Sequence, residues 1–360
     1  MEDVIGSKIS IVIPTKNEAD NISDLLLRIM RYGYEVIIVD DSEDSTAAIA
    51  KNLGARVIRG QGKGLGQAII DGMKISSGDI VVVMDADLSH SPDAIPDLIK
   101  PILEQKYDMT IGSRYVDGGE TVGWSIPRKI ISRAAGFLAY PVARVRDGTS
   151  GFFAVRKSVL DGVVLRPDSW KIMLEIKVKA NLTRVIELPI RFEDRKAGKS
   201  KLTLKQWAAY LKHLFLLAMY HYSILNFMLV GGLGYIINMG IYYPLTLVFK
   251  NEVSFLGQHF YLPPFVISSL VAISCNYYFN KAWTFRNRQA RSLSFFRYLG
   301  MAMTTLLFDM LVLFALVDYG GIKPIPAAAI AILVVFVLRY LIADKWIWHG
   351  KSGKIDGAPV

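Results

Sequence analysis

Residues 1–202 alternate short apolar runs with segments of helical periodicity. Five runs are rich in β-branched residues, at positions 9–14, 35–41, 55–60, 79–87 and 107–115. Between them lie amphipathic segments such as residues 21–33, with apolar residues at helical spacing and a glycine near the end. Near-continuous apolar strands separated by helices predict an α/β domain with a mainly parallel sheet covered on both faces.

After residue 202 the pattern changes to one typical of membranes. Residues 203–223 combine an apolar stripe with polar positions, which predicts an amphipathic helix lying in the membrane interface. The stripe is formed by Leu204, Trp207, Ala208, Leu211, Phe215 and Ala218. Four longer apolar segments follow, each near the length of about 20 residues that a membrane span requires. They cover residues 224–249, 260–283, 296–317 and 325–347.

These patterns predict four parts and an orientation. The parts are a soluble domain at 1–202, the interfacial helix at 203–223, a four-helix transmembrane domain at 224–348 and a tail at 349–360. Basic residues concentrate in the loop between the second and third spans: Lys281, Arg286, Arg288, Arg291 and Arg297. By the positive-inside rule this loop, the soluble domain and the tail are expected to be cytoplasmic in a multi-pass membrane protein.

Composition and charge narrow the class of ligand. A hydrophobic fraction of 52 % is too high for an ordinary soluble enzyme, and a net charge of +10 indicates an anionic partner. The basic residues cluster around the apolar segments, which favours an anionic membrane or a phosphorylated ligand over nucleic acid. The single cysteine, Cys275, excludes a disulfide framework. Asp309 and Arg339 lie within spans, where an ion pair between helices is favoured over a transport role.

The candidate chemistry lies where the apolar strands end. Asp85 and Asp87 follow one such run, and both can face one ligand only if the strand has ended before them. A divalent cation, Mg²⁺ or Mn²⁺, would relieve their repulsion and prefers oxygen ligands. The alternative is that the pair merely caps the next helix. The glycine run GQGKGLG, with Lys63, is either a phosphate cradle or a flexible turn.

A series of motifs in fixed order carries a family resemblance. IPTKNE, VDDSEDST, GKGLG, DADLSHSP, GSRY, RKIIS, DGTSGF and RKAGKSKL follow one another along the chain. The chain thereby resembles family-two glycosyltransferases of the GT-A fold, and among them the dolichol-phosphate (polyprenol-phosphate) mannose synthases. The resemblance covers residues 7–223. The four-span remainder resembles the GtrA-like membrane domain fused to some of these synthases.

The resemblance implies substrates and roles. The expected reaction moves mannose from GDP-mannose to dolichyl or other polyprenyl phosphate, with inversion, and Asp87, Arg114 and Arg128 as catalytic residues. Donor-binding positions are Pro14, Lys16, Glu18, Val39, Asp41, Lys63, Asp85, Ala86, Asp87 and Trp170. Lipid-phosphate positions are Arg114, Arg128, Ser132, Arg195, Lys199 and Lys201. Metal positions are Asp85, Asp87 and Ser89, and Asp147, Trp170 and Glu175 fall in the acceptor- and sugar-facing part.

Two departures and three alternatives accompany this interpretation. Relatives often carry glutamine at the position of Ser89 and an aromatic residue at that of Lys16. At the first position water is expected to take over part of the metal shell. The alternatives are a glucosyltransferase using UDP-glucose with the same lipid, an inactive lipid-linked-sugar transporter or scaffold, and a phosphatase with an aspartyl nucleophile.

The chemistry of the acceptor explains why no catalytic histidine is needed. A lipid monophosphate has a second pKa near 6, so it is mostly dianionic at neutral pH without a general base. Residues 127–146 mix basic residues with an apolar stripe. We expect this segment to lie where the lipid phosphate leaves the bilayer, the alternative being an ordinary surface helix.

Overall fold

The structure is a computed structural model that describes residues 8–166, 171–194, 204–252, 262–286, 288–322 and 324–349. The chain divides into two compact units, Met1–His221 and Tyr222–Val360. We call them the N-terminal unit and the C-terminal unit. The division falls next to the predicted boundary between the interfacial helix and the transmembrane domain.

A seven-stranded sheet forms the centre of the N-terminal unit, in the order β3-β2-β1-β4-β7-β5-β8. Its strands are β1 Ile9–Thr15, β2 Glu35–Asp40, β3 Arg56–Arg59, β4 Ile80–Val83, β5 Met109–Ser113, β7 Phe153–Arg156 and β8 Val185–Pro189. Strands β6 (Glu120–Val122) and β9 (Arg191–Glu193) form a separate parallel pair. Only β7 runs antiparallel to its neighbours β4 and β5 among the described strands of the large sheet. The predicted mainly parallel sheet is confirmed.

Helices cover both faces of this sheet, because its strands are apolar on both sides. The helices are α1 Ala19–Met30, α2 Thr46–Asn52, α3 Leu65–Ile75, α4 Ile95–Leu103, α5 Ile126–Ala143, α6 Ile172–Lys179 and α7 Leu204–His221. Helices α1 and α4 pack in a core with Ile11 and Val82. Helices α3, α5, α6 and α7 pack in a second core with Val12 and Val81 on the opposite face.

Helix α7 has two apolar faces, of which the sequence pattern predicted one. Leu211 and Phe215, on the predicted stripe, are exposed. Tyr210, Leu214 and Leu217 are buried in the second core of the N-terminal unit. The Tyr210 hydroxyl also donates to the Ala135 carbonyl oxygen over 2.8 Å. The helix is therefore a packed part of this unit that still presents an apolar face, as an interfacial helix requires.

Among the described residues, four α-helices lie in the C-terminal unit at the predicted positions. They are α8 Ser223–Glu252, α9 Leu262–Phe279, α10 Ser294–Phe314 and α11 Pro324–Ile342. A short antiparallel pair joins β10 (Gln289–Ala290), in the connection between α9 and α10, to β11 (Trp348–His349), which follows α11. Within the described ranges one segment, Ser223–Phe249, is long and apolar enough to cross a bilayer by length and composition. Four spans therefore stay a prediction.

The charged residues predicted within spans are only partly described. The Arg339 Nε donates to the Thr305 Oγ1 over 2.7 Å, so this guanidinium is bonded to helix α10. The side chain of Asp309 lies outside the described part, and its pairing with Arg339 stays a prediction. An aromatic cluster that includes Phe285, Tyr277 and Trp348 packs the end of this unit.

Candidate active site

The chain turns sharply after β4, which brings the two carboxylates of DADLS to a sheet edge. The strand ends at Val83, four residues before Asp87, so the two aspartates need not point to opposite faces. Leu88 adopts a φ of 58°, a left-handed conformation that is costly for a branched side chain. The Ser89 backbone N–H donates to Asp87 Oδ1 over 3.0 Å and stabilises this turn.

The oxygens of this turn fit a divalent cation. Asp85 lies in a cleft, and an alanine at Gly151 would place its Cβ 2.9 Å from Asp85 Oδ2, so the glycine leaves room for this carboxylate. The buried Ser89 Oγ has no hydrogen-bond partner among the described residues. No group of three or more acidic, histidine or cysteine side chains forms a complete shell there within the same residues. A cation would thus share its shell with water and substrate phosphates, as Mg²⁺ commonly does.

A buried histidine, His90, lines the cleft close to Asp85. His90 is 2 % exposed, and its ring lies 5.1 Å from the Phe152 ring and 4.8 Å from the Phe192 ring, between centroids. Burial, reinforced by the positive charge of Arg114, lowers the pKa of His90 to about 3. The imidazole is therefore neutral at physiological pH. Its Nε2 lies 3.9 Å from Asp85 Oδ2, beyond hydrogen-bond range.

The opposite wall of the cleft is built on a buried ion pair. Arg114 directly follows β5, and its Nε and Nη2 donate to the Asp147 carboxylate over 2.7 and 2.6 Å. Nη2 also donates to Thr149 Oγ1 over 2.6 Å. The pair holds the pKa of Asp147 low and that of Arg114 high despite the burial of both groups. Three of the five guanidinium donors are thus used, and the two of Nη1 have no hydrogen-bond partner among the described residues.

A second arginine reaches the same wall from helix α5. The Arg128 Nη1 donates to Asp194 Oδ1 over 2.6 Å. The Trp124 side chain contacts both guanidiniums, with a ring centroid 4.1 Å from Arg128 Cζ and 5.2 Å from Arg114 Cζ. Such cation–π contacts fix the two guanidinium planes without removing their charge. Ser132 Oγ lies 3.4 Å from Thr149 Oγ1, so the predicted lipid-phosphate positions Arg114, Arg128 and Ser132 are brought together.

The predicted donor positions lie along the carboxyl ends of β1 and β2. Pro14 and Val39 are paired neighbours in the sheet. Asp41 Oδ1 accepts a hydrogen bond from the Gly62 N–H over 3.1 Å, which joins the end of β2 to the glycine run. The loop after β1 is bonded to the loop after β2, since the Glu18 N–H donates to Thr46 Oγ1 over 2.9 Å. Lys16 and Lys63 are exposed at this edge.

Between the two walls lies a cavity of about 220 Å³. Asp85, Arg114, Arg128 and Lys171 line its polar part. Its apolar part is lined by side chains of α3, α5, α6 and α7: Leu65, Ile69, Ile131, Ala135, Ile172, Met173, Trp207 and Tyr210. The arrangement suits a ligand with an anionic head and a hydrocarbon chain.

Some predicted residues lie elsewhere. Trp170, Arg195, Lys199 and Lys201 fall outside the described residues, as does the tail beyond residue 349. Glu175 is buried and accepts hydrogen bonds from the Arg166 N–H and the Lys179 Nζ. It does not line the cavity among the described residues, and its sugar-facing position stays a prediction. Its hydrogen bonds join α6 to the loop at Arg166, which accounts for its burial.

Four residues of the cleft were missed by sequence reasoning. Trp124, Thr149 and Lys171 come from three separate connections, and His90 stands in the DADLSHSP motif, which identified Asp85 and Asp87 but not this histidine. Thr149 lies in the DGTSGF motif, which marked Asp147 but not its neighbour. Neither Trp124 nor Lys171 stands in a pattern that spacing alone would single out, because the fold brings them to the cleft.

Comparison with known proteins shows the family of this chain. The family model for glycosyl transferase family 2 matches residues 10–163, and the model for the GtrA/DPMS transmembrane domain matches residues 226–348. A dolichol-phosphate mannosyltransferase of Pyrococcus furiosus is 36 % identical over 95 % of this chain and 99 % of its own. The chain belongs to the dolichol-phosphate mannosyltransferase family. The C-terminal unit is accordingly a membrane domain.

Two further proteins are similar over the N-terminal part. The dolichol-phosphate mannosyltransferase of Saccharomyces cerevisiae is 32 % identical over 57 % of this chain and 85 % of its own. A glucosyl-3-phosphoglycerate synthase of Mycobacterium tuberculosis, solved with Mn²⁺, UDP and its product, overlaps with a TM-score of 0.48 at 23 % identity. That overlap covers 61 % of this chain and 81 % of the synthase.

Proposed function

We propose that this protein transfers mannose from GDP-mannose to dolichyl or another polyprenyl phosphate, giving a β-linked mannosyl phosphate lipid and GDP. The near full-length match to the Pyrococcus furiosus dolichol-phosphate mannosyltransferase is the observation that carries this proposal. We call Asp85, Asp87 and Ser89 the carboxylate edge, and Arg114, Arg128 and Trp124 the arginine wall. The geometry supports the proposal, because Asp85 and the arginine wall line one cavity that continues between apolar helices.

The donor is assigned to the edge formed by β1, β2 and β4. Asp41 and the glycine run, with Lys63, flank the nucleotide, and Asp85 and Asp87 lie next to its diphosphate. Asp85, Asp87 and the Ser89 Oγ, which has no hydrogen-bond partner in the described part of the chain, would hold Mg²⁺ or Mn²⁺. When bound, this cation supplies positive charge that stabilises the departing GDP.

The acceptor phosphate is assigned to the arginine wall. In this proposal the Nη1 donors of Arg114 bind the acceptor phosphate together with Arg128 and Ser132, which line the same cavity. The first prenyl units would then contact Ile131 and Trp207. We also propose that Arg195, Lys199 and Lys201 bind the lipid phosphate, on the basis of the RKAGKSKL motif that contains them.

The reaction needs orientation more than acid–base chemistry. A phosphate oxygen of the acceptor attacks the anomeric carbon while the bond from that carbon to the GDP oxygen breaks, and GDP leaves with the electron pair. Attack opposite the leaving group inverts the configuration. The acceptor oxygen is already deprotonated, so Arg114 and Arg128 act by holding two anionic substrates at reacting distance.

The membrane domain is proposed to place this reaction at the cytoplasmic face. The basic loop between α9 and α10 supports this orientation, since Arg286, Arg288 and Arg291 lie there. The exposed apolar face of α7 would lie against the same leaflet. We propose four spans, α8 to α11, for this domain.

A donor comparison tests the function. Purified full-length protein is incubated with Mn²⁺, a short polyprenyl phosphate and labelled GDP-mannose, UDP-glucose or UDP-N-acetylglucosamine. Labelled lipid from GDP-mannose, at a rate well above the other two donors, is expected. Labelled lipid from UDP-glucose alone would assign the protein as a glucosyltransferase instead. No lipid product from any donor would exclude a transferase.

A further inference from the structure

A lysine that no motif identified lies in the polar part of the cleft. Lys171 immediately precedes α6, and its Nζ donates to the Thr149 carbonyl oxygen. Arg114, Asp85 and Asp147 are the charged groups that act on it. Its side chain lines the same cavity as Asp85, Arg114 and Arg128.

The two arginines carry charge that is already offset. Arg114 is bonded through two nitrogens to the buried Asp147, and Arg128 is bonded to Asp194. Each arginine with its carboxylate is close to neutral as a pair. A phosphate dianion placed at this wall therefore needs another positive charge, because burial of unpaired anions is costly.

The ammonium of Lys171 is held in the cleft at an energetic cost. Burial, together with the positive charge of Arg114, lowers the pKa of Lys171 to about 8. One of its hydrogen bonds goes to the Thr149 carbonyl oxygen, and the Asp85 and Asp147 carboxylates favour its charged form without cancelling the effect of burial. An anionic ligand beside it would offset both the burial and the repulsion from Arg114.

We propose that Lys171 binds the phosphate of the lipid acceptor together with Arg114, which makes it an acceptor-specific binding residue of the transferase. This inference rests on the proposed function for the identity of the acceptor. Lys171 lines the same cavity as Arg114 and Arg128, and its hydrogen bond to Thr149 joins it to the residue whose Oγ1 accepts from Arg114. It is thus placed to contact a phosphate that Arg114 binds.

The same helix offers a matched control. Lys177 is half-buried in α6, its Nζ donates to the Leu182 carbonyl oxygen, and burial with a nearby arginine, Arg144, lowers its pKa. Lys177 does not line the cavity among the described residues. Removal of its charge therefore reproduces the structural consequences of removing Lys171 without touching the cleft.

The test measures binding without turnover. Geranyl phosphate, with geraniol as an uncharged control, and GDP-mannose with Mn²⁺ are titrated calorimetrically into full-length wild type, K171M, K171R and K177M. We expect K171M to weaken geranyl phosphate binding about tenfold or more and to change GDP-mannose binding less than about twofold. K171R should recover part of the loss, K177M should behave as wild type, and geraniol should not distinguish the variants.

Three results would overturn the inference. One is geranyl phosphate binding by folded K171M at wild-type affinity, and another is an equal loss of GDP-mannose binding, which would place Lys171 on the donor side. The third is wild type that binds GDP-mannose but not geranyl phosphate. Failure of the proposed function is seen separately, as absence of labelled lipid from wild type with any donor.

Discussion

The carboxylate edge and the arginine wall of the cleft differ in how far their charged and polar groups are paired within the protein. On the carboxylate edge, Asp85 faces the cavity and the Ser89 Oγ has no partner among the described residues. On the arginine wall, Arg114 and Arg128 are bonded to carboxylates and both contact Trp124. We propose that a ligand completes the first wall, whereas the charges of the second are already paired within the protein. Substitutions on the first should therefore affect chemistry, and those on the second both stability and acceptor binding.

The largest effect is expected at the carboxylate edge. Asp87→Asn keeps the size of the side chain and removes the charge that would hold the cation, so turnover should fall by about a thousandfold or more. Label transfer from GDP-mannose to lipid measures it. Asp97→Asn, on the exposed side of α4, is the control and should retain wild-type turnover. A tenth or more of wild-type activity in Asp87→Asn would refute the role of this wall.

The next largest effect is a loss of stability on the arginine wall. Asp147→Asn leaves Arg114 buried without its carboxylate, which should reduce the free energy of unfolding by about 3–5 kcal/mol. Asp194→Asn is the comparison, since its side chain is 40 % exposed and its pair with Arg128 is worth less than about 1 kcal/mol. Thermal unfolding of both variants measures the difference. Equal midpoints would mean that the buried pair is not preorganised.

A smaller effect is expected at the ring that contacts both arginines. Trp124→Leu removes both cation–π contacts, together worth about 2 kcal/mol, and should raise the acceptor KM by about tenfold or more. Trp124→Phe keeps an aromatic face and should lose less. Steady-state kinetics with varied polyprenyl phosphate separate the variants. If the KM for GDP-mannose rises instead, Trp124 belongs to the donor wall.

The smallest effect is a pH dependence. Lys171, which faces Arg114, Asp85 and Asp147, has its pKa lowered to about 8, so its ammonium is present below that pH and lost above it. Acceptor binding should therefore weaken as the pH rises through 8. The folded state disfavours the charged lysine, so its contribution to stability rises with pH above 8 rather than falling. Geranyl phosphate titrations from pH 7 to 9 measure the effect, and a flat profile would contradict it.

The two walls also differ in how far the sequence predicted them. Local motifs end the strands of the parallel sheet, so pattern alone predicted Asp85 and Asp87 at its edge, whereas the roles of Asp41, Arg114 and Arg128 were predicted from the family resemblance. The arginine wall depends on the antiparallel β7 and on the separate pair β6 and β9, which bring Trp124 beside Arg114. No local periodicity encodes those long-range pairings. For the same reason the inward face of α7 was missed, although its outward stripe was predicted.

The role of the carboxylate edge is the central claim and can be observed directly. Crystals of full-length protein soaked with GDP-mannose and MnCl₂ would be measured at the manganese absorption edge. We expect one anomalous peak beside Asp85 and Asp87, in contact with the diphosphate, and its loss in Asp87→Asn. A donor bound in the cleft with no manganese beside these aspartates would contradict the account.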